Sequence, residues 1–184
     1  MRNTGWDLVE YSSLRFGVFS GVRTVSENTN LEVNMIPLNS SVVSGVALSK
    51  IDGEVKMLLM KRVKGGFWCH VAGSIEEGET GIGAIIREFK EETQIEVSNL
   101  YNAQFLEQFY EASVNVIQLI PVFVVMCPPE QKVTLNEEHT EFKWCRLEEA
   151  LELAPFPNQH AVFKHVWSYF VEKPVNALYQ VNVG

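Results

Sequence analysis

The sequence predicts an α/β protein in which one mixed β-sheet is sandwiched between helices. Three observations lead there. Apolar runs of strand length, rich in Val, Ile and Phe, fill most of residues 42–127. One segment of helical period interrupts them at 80–93. A second closes the pattern at 158–173, with apolar residues at 162, 163, 166, 167 and 170.

Taken in order, residues 1–37 mix aromatic and polar residues without a period, so they are set apart as an N-terminal extension. "VVSGVAL", residues 42–48, reads as a buried strand, and Asp52-Gly53 marks a hairpin turn. "VKMLLMKR", residues 55–62, is the returning strand, and "FWCHVAG", residues 67–73, a short strand after a Gly-rich turn. "LYNAQFLEQFYE" and "NVIQLIPVFVVMC" follow as two strands. The second is long and apolar, which predicts a central place in the sheet. "CPPEQKVTLNEEHT" is a loop, "EFKWCRL" (residues 141–147) a strand, and "EEALEL" a short helix. The main domain is expected over 38–175, with a C-terminal tail at 176–184.

The chain has 184 residues, 46% hydrophobic and 21% charged, enough for one core. A formal net charge of −8 argues against a nucleic-acid polymer as partner. It leaves room for a small phosphorylated molecule if a metal reverses the local sign. Cys69, Cys127 and Cys145 form no C-x-x-C pair and read as free thiols of a reducing compartment. No run approaches the ~18 apolar residues of a membrane span, and no apolar segment follows Arg2 as in a secretory signal. The expectation is a soluble, cytoplasmic protein without a membrane partner; the sequence leaves the oligomeric state open.

"GSIEEGETGIGAIIREFKEETQI", residues 73–95, packs six glutamates, one arginine and one lysine into twenty-three positions. At about 100° per residue, Ile82, Ile85, Ile86 and Phe89 form the expected core face of the helix. Glu88, Glu91 and Glu92 form a second arc on its shoulder, at i, i+3 and i+4. Like charges at that spacing repel by a few tenths of a kcal/mol. A hard divalent cation such as Mg²⁺ removes the repulsion and holds substrate phosphate in its other positions. The competing reading is a solvated, salt-bridged face. Gly81 and Gly83 favour the first, because glycine near a helix start costs about 1 kcal/mol relative to Ala and so marks close packing. Arg87 is placed to pair with Glu79 across the loop, and the Gly73 carbonyl to face the acids.

The stretch resembles the signature of the Nudix hydrolases, G-x5-E-x7-R-E-U-x-E-E-x-G-U, with U bulky and apolar. Gly73, Glu79, Arg87-Glu88-Phe89, Glu91-Glu92 and Ile95 match, and Gln94 stands where the family has its second glycine. The resemblance implies an α/β/α sandwich around a mixed sheet. It further implies that Glu88, Glu91 and Glu92, with the Gly73 carbonyl, bind Mg²⁺ or Mn²⁺, while Glu79 and Arg87 brace the loop on the helix. The reaction would be hydrolysis of a diphosphate linked to another group.

Glu138, in "LNEEHTEFKW", is singled out as a further catalytic carboxylate, with Glu88 its rival as general base. That stretch, and "PNQHAVFKHVW" after it, are similar to the family's bacterial dATP and dihydroneopterin triphosphate pyrophosphatases. Lys61 and Arg62 are expected to meet phosphates and Trp68 to stack on a ring; Phe67 reads as core. His139, His160 and His165 read as surface or helix-packing residues rather than ligands. The implied activity is release of pyrophosphate from a nucleoside or pterin triphosphate. The alternatives are another linked diphosphate (a dinucleotide or nucleotide sugar) and a non-catalytic binding module of the same fold.

Overall fold

The computed structural model describes residues 35–183. The extension expected over 1–37 lies almost wholly outside them. Strand β1 (Leu38–Asn39) leads into β2 (Val42–Ile51), which turns at Asp52-Gly53 into β3 (Glu54–Arg62). Both turn residues have positive φ, 52° and 83°, as a two-residue hairpin loop requires.

The strand expected over 67–73 divides into β4 (Trp68–Cys69) and β5 (Val71–Ser74), which pair with different neighbours: β4 with β3, β5 with the first half of β2. Helix α1 (Gly81–Thr93) follows, then β6 (Leu100–Glu111), β7 (Val116–Met126) and β8 (His139–Cys145). The chain closes with α2 (Leu147–Leu153), α3 (Pro157–Phe170), a 3₁₀ turn at Ala177–Tyr179 and β9 (Gln180–Val181). Helix α3 thus ends three residues before the expected 173. The expected tail is not detached, because β9 pairs with β6 at Leu100 and Tyr101.

The sheet runs β4-β3-β2-β7-β6-β9, with β8 on the outer edge of β3 and β1 on β7. It is mixed: β2 and β7 run parallel, whereas β2–β3, β3–β8 and β6–β7 are antiparallel. β7 is central, as its apolar composition predicts. Alternation along the strands sends side chains to two faces. Val43, Ala47, Leu58, Met60 and Phe123 pack under α1; Val46, Leu48, Met57, Leu59 and Val124 pack under α2 and α3. This is the expected α/β/α sandwich. Gly45 lets α1 come close, since a Cβ there would lie 2.6 Å from a Phe89 ring carbon.

The buried face of α1 differs from the expected one. Ile82 is exposed, while Glu92 and Thr93 are buried beside Ala84, Ile85 and Phe89. Glu92 and Thr93 are covered by the 127–138 loop, which closes over the last turn: Thr134 N–H donates to Thr93 O (3.0 Å) and Asn136 N–H to Glu92 O (3.2 Å). Those bonds satisfy carbonyls that a helix end leaves open.

Candidate active site

Helix α1 is fixed at both ends. Thr80 caps its start, its hydroxyl accepting from Gly83 N–H at 3.1 Å. Gln94 ends it in the left-handed region (φ 58°, ψ 20°), the conformation that glycine adopts most easily. Between them the carboxylates are disposed unequally. Glu92 is buried at 3% exposure, Glu88 is half-buried and Glu91 is exposed.

Arg87 is the hub of the loop–helix junction. Its guanidinium grips Glu79 with two bonds (3.1 and 2.9 Å) and donates to Ser74 O (2.8 Å), Glu88 Oε1 (2.7 Å) and Glu91 Oε2 (3.2 Å). The pairing with Glu79 occurs as the spacing predicts, and it holds the Glu79 carboxyl below the usual carboxylate range. The sequence offered two reliefs for the acids' repulsion, a bound cation and a solvated, salt-bridged face. For Glu88 and Glu91, Arg87 supplies one.

Glu92 is different. Arg62 Nη1 stands 4.0 Å from its Oε1, and its Oε2 is buried without a hydrogen-bond partner. Burial, and after it the nearby Glu88, push its carboxyl well above the ordinary value. Burial also raises Glu88, partly offset by its bond to Arg87. Gly73 makes this crowding possible: a Cβ there would fall 1.9 Å from Glu88 Cδ.

Arg62 also binds Glu138 Oε2 at 2.9 Å, so the late loop does reach the helix acids. The charge of Glu138 acts on both Glu88 and Glu92. Its backbone is held by Val63 N–H, which donates to Glu138 O (2.8 Å), and by Asn136, whose Oδ1 accepts from Glu138 N–H (3.1 Å). His139, expected at the surface or in helix packing, is instead buried. Its Nδ1 lies 3.2 Å from Asn136 Oδ1, and burial with the Arg62 charge lowers its pKa to about 4. His160 and His165 do pack around α3, on Ala154 O and Ala103 O (2.7 Å each).

Lys61 and Trp68 are not brought to the acids. They pair across β3 and β4 and, by alternation, face the α3 side, whereas Arg62 faces the α1 side. Lys61 Nζ is bound to Glu141 Oε1 at 2.7 Å, and Phe67 packs edge-on against Phe156 at 5.3 Å. All three cysteines are free, and burial pushes each up to about 12.

As arranged, no three His, Cys, Asp or Glu groups among the described residues converge to hold a metal ion. The donor chemistry nevertheless fits a hard cation: carboxylate oxygens, one of them buried and unpartnered, beside a backbone pared to glycine.

A model of the NUDIX domain matches residues 23–166. The chain belongs to the NUDIX family. Among NUDIX relatives, the asymmetrical bis(5'-nucleosyl)-tetraphosphatase of Mus musculus is 28% identical over 134 residues, 69% of this chain and 89% of that protein. The dihydroneopterin triphosphate diphosphatase of Escherichia coli is 29% identical over 104 residues, 50% of this chain and 69% of that protein. An octanoyltransferase of Myxococcus xanthus is 36% identical over 118 residues, 60% of this chain, but this chain spans only 33% of that protein's length. The fold matches that of the E. coli dihydroneopterin triphosphate pyrophosphohydrolase (TM-score 0.61, 22% identity, 76% of this chain and 100% of that one). It equally matches a C. elegans Ap4A hydrolase complex (TM-score 0.61, 23% identity, 69% and 94%).

Among the described residues no helix is long and apolar enough to cross a membrane. Sequence reasoning missed His70, Glu107, Asn158 and Gln159, a polar group under α3. Only Glu107 carried a signal, as the acid between Phe105 and Phe109 on the inward face of β6.

Proposed function

We propose that this NUDIX protein hydrolyses a nucleoside or pterin triphosphate to the monophosphate and pyrophosphate, with Mg²⁺ or Mn²⁺ as cofactor. The observation that carries the reading is Glu92, a buried carboxylate with an unpartnered oxygen in a ring of Glu88, Arg62 and Glu138. A buried acid with an open oxygen is costly to keep, and a cation is the natural partner for it.

Glu88, Glu91 and Glu92, with the Gly73 carbonyl, would hold the ion; Glu88 and Glu91 do so by releasing Arg87. The cation supplies neutralisation of phosphate charge and a bound water of lowered pKa. Arg87, still gripping Glu79 and Ser74 O, keeps the loop that carries Gly73 against the helix. Glu138 accepts the proton of the attacking water, and Arg62, drawn off Glu92, turns to the substrate phosphates. Water attacks the α-phosphorus, its oxygen joins the monophosphate, and pyrophosphate leaves. The similarity to the mouse tetraphosphatase favours a second reading, in which the leaving group carries another nucleoside.

The test is a hydrolysis screen across NTPs, dNTPs, dinucleoside polyphosphates, nucleotide sugars and dihydroneopterin triphosphate, with Mg²⁺, Mn²⁺ or excess EDTA, in ¹⁸O-labelled water. The expected outcome is cation-dependent turnover with label in the monophosphate. Full activity in EDTA overturns the metal assignment, and label only in pyrophosphate or orthophosphate overturns the site of attack.

A further inference from the structure

We propose that the sheet face beneath α3 is a recognition pocket for the 2-amino-4-oxopyrimidine edge that guanine and pterin rings share. The proposal rests on the reading of the substrate as a nucleoside or pterin phosphate and narrows it.

The face is polar where a core is expected. Ser44 of β2 and Glu107 of β6 both point to the α3 side, as their registers with Val122 and Ile120 require. His70, two residues beyond Trp68, reaches over the same face, with Nε2 3.4 Å from Glu107 Oε2 and its ring edge-on to Phe163 of α3 at 5.5 Å. The first turn of α3 closes the group: Asn158 Nδ2 donates to Glu107 Oε1, and Gln159 lies beside it, buried.

These side chains satisfy one another only in part. Both His70 ring nitrogens, Gln159 Oε1 and Ser44 Oγ are buried without hydrogen-bond partners, in residues only 3%, 7% and 0% exposed. Buried polar atoms in folded proteins are nearly always paired, so four orphans on one face leave groups for a ligand or ordered water to meet. Trp68 of β4 faces this side of the sheet, and the next residue, Cys69, lies opposite Met60 and faces the side of α1. A substrate with phosphates at the helix acids would bring its ring here by crossing β4, past the half-buried Trp68 and Asn158.

The chemistry selects the ring. Glu107 Oε2 and Gln159 Oε1 are acceptors, and His70 supplies one N–H. Guanine and pterin present a ring N–H and an exocyclic NH₂ side by side, with a carbonyl next to them. Two donors meet the acceptors, and the carbonyl accepts from His70. Adenine places an acceptor nitrogen beside its amino group, which would face a carboxylate oxygen. Hypoxanthine lacks the amino group and leaves an acceptor unpaired, the kind of mismatch that a polar site rejects strongly.

The experiment is calorimetric titration of the full chain in EDTA with GMP, IMP, AMP and 6-hydroxymethylpterin. The same titrations follow on Glu107→Gln and Gln159→Met, each checked for folding by circular dichroism. GMP or the pterin should bind at least about tenfold more tightly than IMP and AMP, and whichever binds better identifies the ring. Both substitutions should shrink that gap; if Glu107→Gln does not fold, Gln159→Met carries the comparison. Equal binding of GMP and IMP, a preference for AMP, no binding by any probe, or discrimination that survives substitution overturns the pocket. Monophosphates without metal have no pyrophosphate bond to break, so this result stands apart from the hydrolysis screen. Failure there sinks the proposed reaction and leaves the pocket untouched.

Discussion

Under the proposed function, stability and catalysis pull in opposite directions at Glu92. Its carboxyl is buried, carries one unpartnered oxygen, and stands 4.0 Å from Arg62. Replacing it with an uncharged isostere removes that cost. Glu92→Gln is expected to raise the stability of the metal-free protein by about 1 kcal/mol and to lower turnover by orders of magnitude, measured by urea melts in EDTA beside steady-state assays. A loss of stability would mean that the Arg62 pairing outweighs desolvation.

His139 makes a pH prediction at the same scale. Its folded pKa is about 4 against an ordinary 6.5, because burial and Arg62 oppose its charge. Between those values the unfolded chain binds a proton that the folded chain refuses. Its contribution to stability is therefore complete above pH 6.5 and is lost as pH falls toward 4. The loss is at most about 3 kcal/mol. In denaturant melts over pH 4–7, His139→Gln should fall less steeply than the unaltered protein; parallel slopes would remove His139 from the account.

At the scale of elements, α1 shows what a helix wheel can and cannot tell. Its start, its Arg87–Glu79 clasp and its left-handed end at Gln94 all follow from local chemistry, and local chemistry is what a sequence window contains. Its buried face does not follow, because the loop that covers Glu92 and Thr93 comes more than thirty residues later. The left-handed end gives the next prediction. Gln94→Gly loses the Gln94 Nε2 bond to Lys90 O, which is exposed, and gains the easier backbone. The net expected gain is about 0.5–1 kcal/mol in thermal melts; a clear loss would show that the side-chain bond dominates.

For the whole molecule, the sandwich was legible because strand runs and helical periods are strong signals over long segments. The end of the chain was not, because Tyr179, Val181 and Val183 alternate with polar residues over too short a stretch to identify a strand partner. Yet Tyr179 packs against the core under α3, with its ring 6.3 Å from that of Phe170, and Val181 and Val183 pack against the core under α1. Removing residues 176–184 should therefore lower Tm by about 5 °C or more in a calorimetric scan. An unchanged Tm would make β9 a passive addition. The ring pocket was equally hidden: His70 stands between Cys69 and Val71 like any residue of an apolar strand, and only the fold carries it to Glu107.

The parallel seam between β2 and β7 has a consequence for how the chain assembles. Across it Ser44 pairs with Val122, 78 residues away. The β2–β3 and β6–β7 hairpins close over short loops and can form early and independently. The seam must wait, because closing so long a loop costs entropy before any contact repays it. Helix α1 and β5 lie in the span between and can meet each other locally, but Glu138 comes from beyond β7 and reaches Arg62 only when the two halves join. The proposed site is thus among the last parts of the molecule to be completed, and a nascent chain halted before β7 has its motif without Glu138.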